Sequence, residues 1–193
     1  MLSRRCPACT AAGHAVYPLP ESSSVVILLR RLILLIALLV TALPAVAQQK
    51  TGPSGLPLPR FASLAADRIN VRTGPGKQYP IRWIYARNGL PVKIVEEFDT
   101  WRKIQDQDGD DGWVHVSLLS GRRTVSILAT VAELRRTPDP DASVLLRAEP
   151  GVIGRLISCN PSACEIEIEQ RRGWLERTHF WGVLPDEATL PTG

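Results

Sequence analysis

The feature that most constrains the fold is the pattern from Phe61 onward, where apolar and polar residues alternate in short runs. Gly, Pro, Asp and Asn separate these runs, and no window of about 11 residues keeps a helical period with caps. The run from Ile69 to Arg72 is one example, and Thr73-Gly74-Pro75-Gly76 follows it as a turn. Short strands at even spacing are typical of small barrels and sandwiches. The sequence therefore predicts an all-β protein.

The strand pattern occurs twice in the chain. Leu134–Pro138 repeats the order of Val71–Pro75, and Arg172–Leu175 repeats Asp111–Val114. Val71 and Trp113 are 42 positions apart, and their counterparts Leu134 and Trp174 are 40 positions apart. Self-similarity at a fixed interval indicates repeated structural units. We therefore predict two tandem modules with the same topology.

The N-terminal 47 residues have the pattern of a signal peptide. An uncharged stretch from Leu32 to Ala47 follows the pair Arg30-Arg31 and ends in Ala45-Val46-Ala47. A membrane-spanning helix needs about 20 apolar residues, and Pro44 interrupts this stretch. We expect cleavage before Gln48 and a periplasmic or secreted protein, with membrane contact only through the leader before cleavage. A retained membrane anchor is the alternative.

The first 24 residues are unusual in front of such a leader. A leader normally begins a few residues before its arginines, so translation that starts near Val25 or Val26 would explain the excess. Cys6 and Cys9, with His14, resemble half of a zinc site, but no second pair follows at a suitable spacing. We therefore predict no metal site.

The domain boundaries follow from composition. Residues 48–60 are rich in Pro and Gly and lack periodicity, so they are predicted to form a flexible linker. The first module is placed at residues 61–122 and the second at residues 123–186. Residues 187–193 are left as a tail.

The distribution of charge excludes nucleic acid as a partner. The chain carries 23 bases and 19 acids. Arg4, Arg5, Arg30 and Arg31 lie in the first 47 residues with the single acid Glu21, which leaves 19 bases against 18 acids beyond the leader. A nearly neutral body offers no electrostatic footprint for phosphate binding.

Residues 69–119 read INVRTGPGKQYPIRWIYARNGLPVKIVEEFDTWRKIQDQDGDDGWVHVSLL. This segment resembles the bacterial Src-homology-3 (SH3) domain, whose pattern has an LNVRSGPG-like start, a tyrosine, a glycine turn, a Trp-x-Lys strand and a Gly-Tyr/Trp-Val ending. The second copy resembles it weakly, because it lacks the Gly-Pro-Gly turn and the Trp-x-Lys strand. The resemblance implies two small SH3-like β-barrels in tandem that bind cell-wall peptide, glycan or protein partners. It implies no catalysis and no cofactor.

Aromatic residues of the first module are the candidate ligand contacts. Trp101 and Ile104 are three apart on one strand and point to opposite faces, so Trp101 faces outward if Ile104 is in the core. An exposed Trp101 next to a tight, exposed glycine turn would form a stacking platform, although it could instead merely cover the end of the barrel. Trp83 belongs either to this groove or to the core. The candidate residues are Gly74, Gly76, Tyr79, Trp83 and Trp101.

Three further aromatic residues are assigned structural positions. Trp113 is predicted to be structural. Phe180 and Trp181 are predicted to seal the C-terminal end or to lie between the two copies.

The mature chain contains few residues that could support catalysis. Cys159 and Cys164 lie at two strand ends around a four-residue turn, within the usual disulfide range. An exported protein lies in an oxidising compartment, so a structural disulfide is favoured over a reactive thiol or a metal site. His115 is predicted to be a surface or hydrogen-bonded histidine, and the acidic run near Asp106 a solvated hairpin tip rather than a calcium loop.

Three functions remain open from the sequence, and a purely structural partner module that binds no small ligand is one of them. The favoured one is a non-enzymatic exported binding module that recognises peptidoglycan or an envelope protein. The alternative is an envelope enzyme, or the regulatory fragment of a cell-wall hydrolase, with the cysteines and histidines as its remnant.

Overall fold

The computed structural model describes residues 23–40 and 50–187. The predicted cleavage site after Ala47, the Cys6 and Cys9 pair, and residues 188–193 of the tail lie outside this range. Ser23–Val40 forms helix α1. Among the described residues, no helix is both long enough and apolar enough to cross a membrane.

The first module is one antiparallel sheet of seven strands. Its hydrogen-bonded order is β3-β2-β6-β5-β4-β1-β7, and a single 3₁₀ turn, Val116–Leu118, precedes the last strand. The strands are β1 (Arg60–Leu64), β2 (Ile69–Arg72), β3 (Ile81–Tyr85), β4 (Pro91–Phe98), β5 (Trp101–Gln105), β6 (Asp111–His115) and β7 (Leu119–Ser120).

The second module repeats this topology strand for strand. Its order is β10-β9-β13-β12-β11-β8-β14, and the 3₁₀ turn Arg177–His179 again precedes the last strand. The strands are β8 (Thr124–Ile127), β9 (Ala132–Arg135), β10 (Val144–Ala148), β11 (Ile153–Cys159), β12 (Ala163–Ile168), β13 (Arg171–Glu176) and β14 (Phe180–Trp181). The predicted all-β fold and the internal repeat are confirmed. The edges of the first sheet are β3 and β7, and those of the second are β10 and β14. Both sheets are therefore open, and the predicted closed barrels are not formed.

The strand registers assign an equivalent in the second module to each paired residue of the first. Ile94 pairs with Ile104, and Leu156 pairs with Ile166. In both hairpins a register shift follows. Trp101 lies three residues before Ile104 and pairs with His115 of β6, and Ala163 lies three residues before Ile166 and pairs with Glu176 of β13. Trp101 and Ala163 are therefore equivalent residues.

Each module has its own buried core, as the alternation predicted. Ile69, Val71, Ile104 and Val114 are among the core residues of the first module. The equivalent second cluster includes Leu134, Ile166 and Leu175. Burial of one face of each sheet accounts for the period-two pattern in the sequence.

The glycine of each repeated Gly-Trp pair is required by close strand approach. A Cβ added to Gly112 would lie 2.4 Å from Val71 Cγ1 and 3.1 Å from the Arg72 carbonyl oxygen. A Cβ added to Gly173 would lie 2.9 Å from Leu134 Cβ. This shared packing explains why the sequence repeats glycine at this position.

Residues 50–60 are not a flexible linker, and that prediction is wrong for this segment. Thr51 forms an isolated bridge with Pro57, and Leu58 is 5% exposed within the core of the first module. The Ser54 N–H donates to Glu97 Oε2 at 2.9 Å, and the Ser54 hydroxyl donates to Glu97 Oε1 at 2.8 Å. Leu58 and Glu97 together hold this segment in place, although its composition predicted an irregular linker.

The two modules pack directly against each other. The hydroxyl oxygens of Ser63 and Thr124 lie 2.6 Å apart, and the Thr124 hydroxyl donates to the Gly89 carbonyl oxygen at 2.7 Å. Trp181 packs on Phe61 across the same boundary. Of the two positions predicted for Phe180 and Trp181, Trp181 lies between the copies, whereas Phe180 belongs to the core of the second module.

Candidate functional site

The glycine turn of the first module is covered by side chains. Gly74 and Gly76 are both buried, and neither has a positive φ. A Cβ added to Gly74 would lie 2.4 Å from Tyr79 Cδ1, and one added to Gly76 would lie 2.3 Å from Gln78 Oε1. The expectation of an exposed backbone at these glycines is wrong. Gly74 is needed because the Tyr79 ring lies against its backbone, whereas the Gln78 amide is the end of a flexible side chain that can move away from a Cβ at Gly76.

Arg72 holds this turn in place. Its Nη1 donates to the carbonyl oxygens of Tyr79 at 2.7 Å and Lys77 at 3.0 Å. The Thr73 N–H donates to the Pro80 carbonyl oxygen at 3.0 Å and closes the loop. Tyr79 is therefore fixed over Gly74, with 39% of its surface exposed.

Trp83 lies partly in the core and partly at the surface. It packs against the core of the first module and meets Tyr85 edge to face, with ring centroids 6.0 Å apart. The guanidinium carbon of Arg82 lies 5.1 Å from its ring centroid. Tyr79 and Trp83 are thus the predicted aromatic contacts that retain solvent-exposed surface, and their contact with a ligand stays a prediction.

The carboxylate of Asp106 has a structural role in the acidic hairpin. The Tyr85 hydroxyl donates to Asp106 Oδ2 at 2.7 Å, and burial together with this carboxylate raises the pKa of Tyr85. Asp106 Oδ1 accepts the N–H groups of Asp108 and Asp110 at 3.1 and 2.9 Å. Within the described residues, no group of three acidic, histidine or cysteine side chains could hold a metal ion.

Trp101 is not the exposed platform that strand periodicity suggested. It lies outside the core cluster that contains Ile104, as expected for the opposite face, but it is only 9% exposed. Its ring meets His115 edge to face, with centroids 5.5 Å apart. The expectation of an exposed Trp101 is therefore wrong. Period-two alternation assigns a face to a residue but does not show what covers that face.

His115 and the two cysteines have structural partners. His115 Nδ1 accepts the Ser117 N–H at 3.3 Å and begins the 3₁₀ turn, so it is a hydrogen-bonded histidine as predicted. Cys159 and Cys164 form the predicted disulfide. Within residues 50–187, no cysteine is therefore available as a nucleophile.

In the second module, alanines occupy the positions that are equivalent to two aromatic residues of the first module, Tyr79 and Trp101. Ala163 is equivalent to Trp101. Ala142 is equivalent to Tyr79, because Arg135 Nη1 donates to the Ala142 carbonyl oxygen at 2.8 Å just as Arg72 donates to that of Tyr79. Trp174 is accordingly half-buried, whereas its equivalent Trp113 is 9% exposed and has the structural position predicted for it.

The second module has an open pocket that is lined by Ala163 and Trp174, and it is called the pocket over Trp174 below. Its volume is about 190 Å³. This site was not predicted from the sequence, although the absence of the Trp-x-Lys strand from the second copy is a signal that the aromatic cover is missing. The lining residues are Val131, Glu133, Arg135, Thr137, Pro138, Asp139, Pro140, Ala163, Trp174, Leu175, Glu176 and His179.

A second, polar cleft of about 470 Å³ lies between the modules. Ser63, Gly89 and Thr124 line it, and their polar atoms already form the hydrogen bonds that join the two sheets. This cleft is therefore primarily part of the packing between modules, and the pocket over Trp174 is the better candidate for a ligand.

Comparison with known proteins identifies both modules. The family model described as "Bacterial SH3 domain" matches residues 65–121 and 129–182, one match for each sheet. The chain is also 28% identical over 116 residues to a protein of Bacillus subtilis (strain 168) named "Putative N-acetylmuramoyl-L-alanine amidase YrvJ". That match covers 60% of the chain and 22% of the length of the relative.

Two solved structures from Trichomonas vaginalis show a distant likeness. NlpC1 is 9% identical with a TM-score of 0.32, over 69% of this chain and 49% of that one. NlpC2 is 10% identical with a TM-score of 0.31, over 65% and 48% of the two chains. The chain thus spans about half the length of each solved structure.

Proposed function

Because the chain belongs to the bacterial SH3 domain family, we propose that it is an exported, non-catalytic module that binds peptidoglycan or a protein of the cell envelope. The observation that carries this proposal is the open pocket over Trp174 in the second module. Ligand sites are typically concave, with an aromatic or apolar floor and a few polar groups. The pocket combines Trp174 and Pro138 with charged side chains at its rim.

The absence of catalysis is part of the proposal and rests on two features of the described residues. Cys159 and Cys164 are oxidised to a disulfide, so they cannot supply a thiolate. His115 uses its Nδ1 within its own turn. Nucleophilic catalysis needs a nucleophile with a base in hydrogen-bond reach. The disulfide-bonded cysteines offer no thiolate, and His115 Nδ1, which lies 2.7 Å from the Ser117 hydroxyl, also accepts the Ser117 N–H as the cap of the 3₁₀ turn.

Peptidoglycan is one of the two proposed partners because of the named relative. The name of that relative specifies a putative amidase for N-acetylmuramoyl-L-alanine, which is a unit of peptidoglycan, and the chain matches only 22% of its length. A segment shared between otherwise different proteins is consistent with a recognition module. Export is proposed from the leader, in which basic residues precede an apolar stretch and Ala45-Val46-Ala47.

The test is co-sedimentation of the full chain with purified peptidoglycan sacculi. Ala163→Trp should fill the pocket as Trp101 does in the first module, and we expect affinity to fall at least about tenfold. Val144→Trp is the matched control, because Val144 is exposed on edge strand β10 and does not line the pocket. It should bind as the unmodified protein does.

Other outcomes would overturn parts of the proposal. If folded Ala163→Trp binds sacculi with unchanged affinity, the pocket is not the site. If sacculi do not bind but an envelope protein is retained by the unmodified chain and lost by Ala163→Trp, the partner is that protein. Release of cell-wall fragments by the purified chain would show that it is an enzyme.

A further inference from the structure

We infer that the pocket over Trp174 selects a positively charged amino group, a primary ammonium carried by a peptide. This inference rests on the proposed function and specifies what the site recognises. It follows from the size of the pocket, from the charges that its lining leaves unpaired, and from the difference between the two modules.

The size of the pocket limits the enclosed part of the ligand to a side chain. A volume of about 190 Å³ is below the roughly 300 to 1,000 Å³ of sites that enclose a drug-sized ligand. A disaccharide would not fit inside it, whereas an aminoalkyl chain would. The rest of the ligand would lie across the surface.

The single arginine of the lining is already paired. Arg135 Nη2 donates to Glu133 Oε2 at 2.7 Å, and its Nη1 is committed to the Ala142 carbonyl oxygen. Arg147 Nη2 donates to the other oxygen, Glu133 Oε1, at 3.0 Å. Arg135 is thus held in place by its own module rather than free to bind an anionic ligand.

Among the residues that the structure describes, two carboxylates of the lining have no cationic partner within hydrogen-bond distance. Glu176 is 63% exposed at its side chain, and its nearest charged neighbour in the described chain is His179, with Nε2 3.9 Å from Oε2. Asp139 Oδ1 accepts the Asp141 N–H at 3.0 Å, and Asp139 belongs to no ion pair between described residues. The lining contains three carboxylates, of Glu133, Asp139 and Glu176, against the single guanidinium of Arg135. It is therefore net negative, and a cation would be complementary to it.

Trp174 supplies the third element of cation recognition. Its indole is half-buried and forms part of the pocket lining. An ammonium within about 6 Å of a tryptophan ring centroid is attracted by the ring quadrupole. The same ammonium can donate hydrogen bonds to the free carboxylates, since it has three donors and no acceptor.

The first module lacks this combination of groups. The positions equivalent to Glu133, Asp139 and Glu176 are occupied by Asn70, Gly76 and His115. None of these is a carboxylate, and Trp101 takes the place of Ala163. The acidic, open pocket is thus a property of the second module alone, and the two modules differ in what they can bind.

The decisive experiment compares a probe whose side-chain amino group is free and charged with one in which that group is acetylated and neutral. Nα-acetyl-lysine methylamide is titrated into the full chain and followed by tryptophan fluorescence and NMR, beside its Nε-acetylated form. We expect the acetylated probe to bind at least about tenfold more weakly. In parallel, sacculi whose free amines have been acetylated should lose most of the bound protein.

Matched variants connect this selectivity to the pocket. The double change Asp139→Asn and Glu176→Gln should weaken the lysine probe about tenfold or more and abolish its preference over the acetylated probe. Asp141→Asn is the control, because Asp141 is exposed in the same loop and does not line the pocket. It should keep the preference.

The outcomes separate this inference from the function on which it rests. If sacculi bind equally well before and after acetylation and the double variant is unaffected, the binding module is real but ammonium recognition is wrong. If the lysine probe binds selectively and untreated sacculi do not, ammonium recognition holds and its source is a protein lysine. If neither probe nor sacculi bind, both proposals fail.

Discussion

The indole of Trp181 meets the phenyl ring of Phe61 edge to face, with ring centroids 5.1 Å apart and planes at 84°. Phe61 belongs to the first strand of the first module, and Trp181 to the last strand of the second. The guanidinium carbon of Arg123 lies 5.7 Å from the Phe61 centroid, and Lys93 Nζ lies 5.2 Å from that of Trp181. This cluster joins the two sheets.

Because of this cluster, we expect the two modules to unfold together. Trp181→Ala should lower the free energy of unfolding by about 3 kcal/mol, the usual cost of removing a well-packed large aromatic side chain. Calorimetry should show one transition for the unmodified chain and two for the variant. Leu128→Ala, at an exposed position of the second module, should retain a single transition. Two transitions in the unmodified chain would contradict the prediction.

The sequence predicted those features that depend on local periodicity. Ile69 and Val71 alternate with polar neighbours, and both are buried. The 42- and 40-residue intervals of the repeat correspond to two sheets of identical strand order. Local backbone geometry determines which face a strand residue occupies, and that relationship survives in any tertiary context.

The features that the sequence did not predict depend on contacts between distant segments. Leu58 is buried under the first module, although Pro and Gly around it indicated a linker. Trp101 lies on the expected face but is covered, and its equivalent Ala163 leaves a pocket. Burial on the outer face depends on which loops and rings pack there, and no alternation of residues encodes that.

The burial of Trp101 changes the expected effect of its removal. Trp101→Ala should lower the free energy of unfolding by about 3 kcal/mol, as for a buried aromatic residue. Tyr79→Ala, at a partly exposed ring of the same module, should cost less than half as much. Thermal melts of both variants test this, and folded Trp101→Ala should still sediment with sacculi if the second module carries the site. A melt of Trp101→Ala that matches the unmodified chain would refute its structural role.

The glycine before each repeated tryptophan should be intolerant of any side chain. Gly112→Ala and Gly173→Ala should each cost about 2 kcal/mol or more, because a Cβ would collide with the neighbouring strand. Gly121→Ala is the control, since nothing lies within 4 Å of its added Cβ, and it should change stability by less than about 0.5 kcal/mol. Denaturant unfolding measures all three, and equal midpoints would contradict the packing argument.

One pair of residues on neighbouring strands has an equivalent pair in the other module, and the two pairs are held together by different interactions. Glu97 pairs with Arg102 across β4 and β5, and the equivalent pair across β11 and β12 is Cys159 and Cys164. In the first module Arg60 Nη2 donates to Glu97 Oε1 at 2.5 Å, and Arg102 Nε lies 3.2 Å from the same oxygen. A buried ion pair thus occupies the position that a disulfide occupies in the second module.

This buried carboxylate should make the stability of the protein depend on acid. Burial alone would raise the pKa of Glu97, but hydrogen bonds from Ser54 and Arg60 outweigh it and lower the pKa to about 2. Because the pKa is lower in the folded chain than in the unfolded chain, Glu97 stabilises the fold above about pH 4.5. That stabilisation should be lost as the pH falls toward 2.

The variant Glu97→Gln tests this dependence directly. It should lower the free energy of unfolding at neutral pH by about 3 kcal/mol, because Arg60 and Arg102 lose their buried counter-charge. It should also flatten the fall in stability between pH 4.5 and 2. Glu96→Gln, at the exposed neighbouring position, should keep the slope of the unmodified chain. Denaturant unfolding across this pH range measures both slopes. If Glu97→Gln has the same slope as the unmodified chain, the acid sensitivity arises from other residues. In that case the ion pair does not anchor residues 50–60 to the first module.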